Sequence, residues 1–178
     1  MTTTINGTLG VSLVQDASIT TAKLVDNSVT QAKQAPNVAG NGPCFSAYQS
    51  TAQTVPASTL TKIQYQAKEF DTTNAFDAVT NSRFQPLVAG YYQVTGAIQV
   101  STSWTGGYLN IQKNGGLTKQ GPSSQSSSTT AGAFNVTALI YLNGTTDYVE
   151  IAGFIGVAQA LVTGIAGTYF QAFLARSA

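Results

Sequence analysis

From Tyr91 to Val100 the chain reads YYQVTGAIQV, and its apolar side chains recur at every second residue. Tyr92, Val94, Ile98 and Val100 share one side with Gly96 among them, while Tyr91, Gln93, Thr95 and Gln99 take the other. A period of two is the pleat of a β-strand and cannot lie along one face of a helix. FNVTALIYL (134–142) repeats the pattern: Phe134, Val136, Ala138, Ile140 and Leu142 oppose a mixed face holding Leu139 and Tyr141. TYFQAFLA (168–175) is largely apolar or aromatic on both sides. Asn114-Gly115 and Asn143-Gly144 read as hairpin turns, because Asn-Gly accepts the positive φ those turns need. GPSSQSSSTTAG (121–132) reads as a flexible exposed loop, and no long helical stripe occurs. The expectation is an all-β sandwich.

The aromatic residues locate that sandwich. None occurs before Phe45, and all eight Phe, all eight Tyr and Trp104 follow from there. GNGP (40–43) is a natural hinge, since Gly and Pro punctuate the chain. The expected division is an N-terminal segment over 1–42 and a folded head over 43–178. A chain of 178 residues holds one ordinary domain with some length to spare. Within the N-terminal segment, DASITTAKLVDNSVTQAKQA (16–35) matches itself at a shift of ten. Asp16 meets Asp26, Ser18 meets Ser28, Ile19 meets Val29, Ala22 meets Ala32 and Lys23 meets Lys33.

Several chemistries are excluded by what is missing. There is no histidine and one cysteine, Cys44. A Ser-His-Asp or Cys-His arrangement, a histidine-bearing zinc site, an intrachain disulfide and a CxxC pair are therefore ruled out. Cys44, in the apolar PCFSAY, is expected to be a buried small hydrophobe. Only 8% of residues are charged, against about 25% in typical domains. The net charge of +1 supplies no field for nucleic acid or an anionic membrane. Thr, Ser, Gln and Asn fill the surface, which suits a protein that meets sugars or packs on copies of itself. MTTTINGTLG lacks the basic and apolar regions of a signal peptide. IAGFIGVAQALVTGIAG (151–167) is uncharged but too interrupted by Gln159, Thr163 and glycines for a membrane span. It reads as two buried strands around a glycine-rich loop. Strands apolar on both faces need a partner for the second face.

With these strands in order, FDTTNAFDAVTNSRFQPLVAGYYQV (70–94) resembles the globular head shared by complement C1q and the tumour necrosis factor superfamily. The resemblance rests on Asn74, Phe76-Asp77, Phe84, Pro86 and Gly90-Tyr91-Tyr92. YLNIQKNG (108–115), LNGTTDYVEI (142–151), GTYFQAFLA (167–175) and the opening PCFSAYQS (43–50) extend it in the family's order. It implies a ten-stranded jelly roll in a tight homotrimer, with both termini at the base, and names two more copies of the chain as the missing partner. The scarcity of carboxylates departs from the family's metal-binding members, so no calcium ligands are carried over. The decapeptide units look like repeats in bacteriophage fibre shafts. Each could form one turn capped by Ser18 or Ser28 and hold only in a trimer. A disordered linker with chance similarity is the alternative. No collagen-like glycine period is present, which points toward a virus or bacterium.

Catalytic candidates are the carboxylates Asp71 with Asp77 and Asp147 with Glu150, since glycosidases use a carboxyl pair. Against them, Asp77 falls in the family's structural turn and Asp147 follows an expected hairpin, so catalytic, cofactor-binding and metal residues are all expected to be none. Trp104, in an expected loop with Gly106, Gly107 and Tyr108, is the candidate receptor or glycan contact, together with Ser124 and Ser126 of the Ser-rich loop. Ile5, Leu9, Ile19, Ala22, Leu24, Val29 and Ala32 are the expected packing residues of a stalk that anchors the chain. The resulting expectation is a non-enzymatic virion protein, a trimeric fibre or capsid-surface decoration on the virion surface, made in the host cytoplasm. Its partners would be its own copies, a capsid or tail protein through 1–42, and a host-surface glycan, with no nucleic acid and no membrane. Its length suits a short fibre or head-surface protein. A bacterial or spore-surface adhesin, or a glycan-degrading fibre enzyme, is the alternative.

Overall fold

The computed structural model describes residues 33–38 and 40–178. The decapeptide repeat up to Ala32, and the expected stalk residues Ile5, Leu9, Ile19, Ala22, Leu24, Val29 and Ala32, lie outside them. The described strands open with β1 (Cys44–Tyr48), β2 (Thr54–Val55), β3 (Thr61–Lys62), β4 (Ala67–Asp71), β5 (Phe76–Asp77) and β6 (Arg83–Phe84). Longer ones follow: β7 (Gly90–Val100), β8 (Trp104–Lys113), β9 (Gly116–Gln120), β10 (Ser124–Ser128), β11 (Gly132–Leu142), β12 (Val149–Ile155), β13 (Gln159–Ala160) and β14 (Tyr169–Ser177). All belong to one unit, Ala35–Ala178.

Two antiparallel sheets face each other. The first has the order β11-β7-β14-β1-β4. The second runs β10-β8-β12-β6-β5, with β3 added on β12 and β9 on β8, and β13 pairs separately with β2. Neighbours far apart in sequence, such as β14 between β7 and β1, make this the jelly roll of an all-β sandwich.

The alternation on β7 is realised as expected: Tyr92, Val94, Ile98 and Val100 point inward and are fully buried. Gly96 sits in that row because a Cβ there would come within 2.7 Å of the Ile151 side chain on the opposite sheet. On β11, Phe134, Val136, Ile140 and Leu142 are buried and Ala138 packs against them. Phe45 lies at the centre of the core. It stacks on Phe76 and Phe84 (centroids 4.7 and 4.6 Å apart) and meets Phe170 edge-on at 5.0 Å.

The doubly apolar strands have two different explanations. β12 is covered on its outer side by its own chain: Phe154 stacks on Tyr108 at 5.0 Å, and Lys62 Nζ lies 2.5 Å from Glu150. The outer side of β14 is not covered, and Phe173 is 49% exposed.

Four local expectations need correction. Asn114-Gly115 does form the two-residue hairpin between β8 and β9, with φ of 54° and 78°. Asn143-Gly144 does not, because β11 and β12 belong to different sheets. Gly144 instead carries the chain across the sandwich edge with φ 71°, where a Cβ would strike the backbone of Val88 and Ala89. Residues 124–128 form a strand rather than part of a loop, because their backbone pairs with the start of β8 even though their side chains show no apolar alternation. Trp104 is the first residue of that strand and not in a loop. Cys44 is only half-buried, at the start of β1; partial burial and the Asp71 carboxylate push its thiol pKa up.

The registers also define two ends. Gly90 pairs with both Leu142 and Ser177, and Cys44 pairs with Phe173, so the entry to the head and the C-terminus share one end. Val100 and Gly132 pair at the other.

Candidate functional site

Two surfaces of the head stand out. The first is the end away from Cys44 and Ser177, where the structure brings Trp104, Gly106, Gly107 and Ser124 of the expected receptor residues together; the side chain of Ser126 lies outside the described ones. Ser128 pairs with Trp104, Ser127 with Thr105 and Ser124 with Gly107. Gly106 between them has φ 55°, a conformation that favours glycine. Gly107 faces inward because its Cβ would meet the Phe134 ring at 2.5 Å. Tyr108 points outward into its stack with Phe154 and so is tied to the sheet face.

Trp104 is held by packing. Its ring meets Phe134 edge-on, centroids 5.0 Å apart at 82°. A side chain at Gly132 would collide with its Nε1, and that N–H is buried with no hydrogen-bond partner among the described residues. The ring walls a cleft of about 520 Å³ with Ser103, Thr105, Ser128, Thr129 and Val157. Ser103 and Thr105 are the direct neighbours of Trp104 and are legible once the Trp is chosen. Thr129 lies in the Ser-rich segment 121–132, while Val157 comes from a distant segment that no local signal marks.

The second surface is the outer side of the first sheet. One cross-strand row sets Leu139, Gln93, Phe173 and Cys44 side by side, and the next sets Tyr141, Tyr91 and Arg176. Leu139 is 53% exposed, and Phe70 on neighbouring β4 is 50% exposed. Further along the sheet, hydroxyls and amides replace apolar groups. Gln93 Nε2 donates to Thr137 Oγ1 at 2.8 Å, Thr95 and Thr137 share a bond of 2.9 Å, and Gln171 Nε2 donates to Ser46 Oγ at 3.1 Å.

The carboxylates that were catalytic candidates are engaged in structure. Asp71 accepts from the amides of Ala75 and Phe76 and from Lys68. Asp77 accepts from the amides of Val79, Thr80 and Asn81 and from Asn81 Nδ2, closing the turn after β5. Asp147 takes bonds from Asn114 Nδ2 and the Asn143 amide and lies 2.7 Å from Lys113 Nζ. Glu150 is paired with Lys62. Among the described residues no three His, Cys, Asp or Glu side chains gather as a cation site.

Hydrogen bonds hold two of these carboxyls below the usual carboxylate range: the Thr80 amide foremost for Asp77, and Lys113 with Asn114 for Asp147. A lowered folded-state pKa contributes stability that is present above the unfolded value, about 4, and lost as pH falls below it. The thermal midpoint of the protein should therefore hold steady from pH 7 to about 5 and fall below about pH 4. Asp77→Ala should lower that midpoint at neutral pH, through a loss of about 0.5–2 kcal/mol of stability as for a lost helix cap, and should flatten the acid fall. An acid profile as steep in the variant as in the wild type would show that Asp77 does not contribute.

The strand order, the inner aromatic cluster and the two-ended register define a jelly roll of the C1q and tumour necrosis factor type. Particular solved structures share it. The globular domain of zebrafish complement 1qA protein superposes with a TM-score of 0.57 at 20% identity, covering 76% of this chain and 99% of that one. The Eiger TNF from S. frugiperda gives 0.57 at 10% identity, covering 76% and 93%. At these identities the likeness is one of fold. No protein-family model matches the sequence, and no curated protein matches it.

Proposed function

We propose that this chain is a non-enzymatic structural protein that forms a homotrimer through the outer face of its first sheet and displays its Trp104 end. The observation that carries the reading is the contrast between the two sheets. The outer side of β12 is closed by its own Tyr108, Phe154 and Lys62. The outer side of β11, β7 and β14 leaves Leu139, Tyr91, Tyr141 and Phe173 uncovered, with Arg176 and Lys113 as the cations beside Tyr91 and Tyr141. A stable contact needs about 800 Å² per partner, and the exposed apolar side chains of this face are what a second copy would cover. Engagement of Asp71, Asp77, Asp147 and Glu150 in turns and ion pairs supports the non-enzymatic part, since a general acid or base must be free to exchange its proton with substrate.

The setting we propose is a virion: a short fibre or capsid-surface decoration attached through residues 1–42 and projecting the head. The repeat at 16–35 supports it by its likeness to fibre-shaft repeats, and the head's geometry supports it by keeping its entry and the Trp104 end apart. Displayed in many copies, even a weak host-glycan contact at that end would give firm adhesion. Attachment tests the anchor. The full-length chain should sediment with virions lacking their own copy, and a 43–178 fragment should stay folded and remain in the supernatant. A fragment that decorates virions at normal copy number would place the anchor in the head.

A further inference from the structure

We infer that the cleft beside Trp104 is a subsite for an uncharged saccharide, an inference that rests on the display of this end proposed above. Its volume, about 520 Å³, is within the range of small-ligand sites. None of its lining side chains is charged: Ser103, Trp104, Thr105, Ser128, Thr129 and Val157. An ionic ligand would give up hydration there and gain no counter-charge, so the site selects against sialylated, sulfated or phosphorylated sugars.

The polar groups present are the ones a sugar uses. The Ser128 hydroxyl is occupied by Thr130. The Ser103, Thr105 and Thr129 hydroxyls have no hydrogen-bond partner among the described residues, and each can both donate and accept, as the hydroxyls of a neutral saccharide do. The indole and Val157 add the apolar surface that the C–H face of a sugar ring requires.

The walls are fixed before any ligand arrives. Gln159, 8% exposed, reaches under the cleft. Its Oε1 accepts from the Thr102 hydroxyl at 2.7 Å and its Nε2 donates to the Ser103 carbonyl. The Gly156 amide donates to the Thr105 and Gly106 carbonyls at 2.8 and 3.2 Å, which sets Val157 against the start of β8. The Trp104 ring is locked between Phe134 and Gly132, at the cost of a buried N–H without an acceptor. Such pre-organisation raises affinity by reducing the ordering that binding requires.

The test is saturation-transfer NMR on the full-length protein. The probes are neutral gluco-, galacto-, manno- and N-acetylglucosamine tetrasaccharides, with sialyllactose and a sulfated disaccharide as charged controls. At least one neutral probe should receive saturation, and the charged probes should receive none. Thr105→Val keeps the side-chain shape without the hydroxyl and should weaken binding about tenfold, the effect of losing one well-placed hydrogen bond. Trp104→Ala should abolish it. Absence of binding by every neutral probe, binding of charged probes alone, or wild-type binding by Thr105→Val and Trp104→Ala would each overturn the assignment. Mass measured on the same samples separates this inference from the one beneath it: a trimer that binds no sugar loses only the subsite, and a monomer that binds sugar loses only the trimer.

Discussion

Phe45→Ala is expected to cost about 3–5 kcal/mol, the range for removing a buried phenylalanine ring. The ring sits on β1 of the first sheet, and its stacking partners Phe76 and Phe84 belong to β5 and β6 of the second. Phe170 of β14 closes the cluster from the side. Deleting the ring therefore opens a cavity where four strands of both sheets meet, and aromatic pairs add a further increment beyond the area they bury. A whole domain is stable by only about 5–15 kcal/mol, so this single change removes a large part of the total. Urea denaturation at one fixed protein concentration measures it, because association would otherwise shift the midpoint. Phe45→Leu should cost clearly less. A loss below about 1 kcal/mol for the alanine variant would mean that the aromatic cluster is not the centre of the core.

The second large effect concerns assembly. The double variant Leu139→Lys/Phe173→Lys should dissociate the trimer and leave the fold intact. Both side chains are about half exposed in the single chain, so folding does not require them. They lie in one cross-strand row with Gln93 between them. Two ammonium groups placed there would have to be desolvated against an apolar partner in every interface, a penalty of several kcal/mol per ion. Far-UV circular dichroism should be unchanged while the mass falls to that of one chain. A double variant that stays trimeric would move the interface to another face.

Most of the sandwich could be read from the chain because its main strands advertise themselves. In β7 and β11 each inward residue is apolar, and a sheet with one buried face leaves no other register open. The carboxylate of Asp77 was also readable as a structural group, through the resemblance that places it in the family's structural turn. What escaped is where side chains do not report the backbone. Ser124–Ser128 has no apolar period, and its strand exists because an edge of β8 offers it hydrogen bonds. The two Asn-Gly pairs look alike in sequence, yet only one closes a hairpin. At Gly144 the positive φ serves a passage between sheets, a requirement that depends on Val88 and Ala89 half a domain away in sequence. The cleft shows the same limit: Trp104 draws attention by itself, while Val157 reaches it through a separate chain crossing. The double apolarity of β12 pointed to a partner, but its own chain supplies the cover. That leaves β14 and β11 as the strands whose outer side stays uncovered.

The central claim is that a second and third chain cover the outer face of the first sheet. Multi-angle light scattering of the full-length wild-type protein, over a dilution series at neutral pH and moderate salt, tests it most directly. A mass of three times the 18.5 kDa chain, unchanged on dilution into the low micromolar range, is the predicted result. A mass near 18.5 kDa would contradict it.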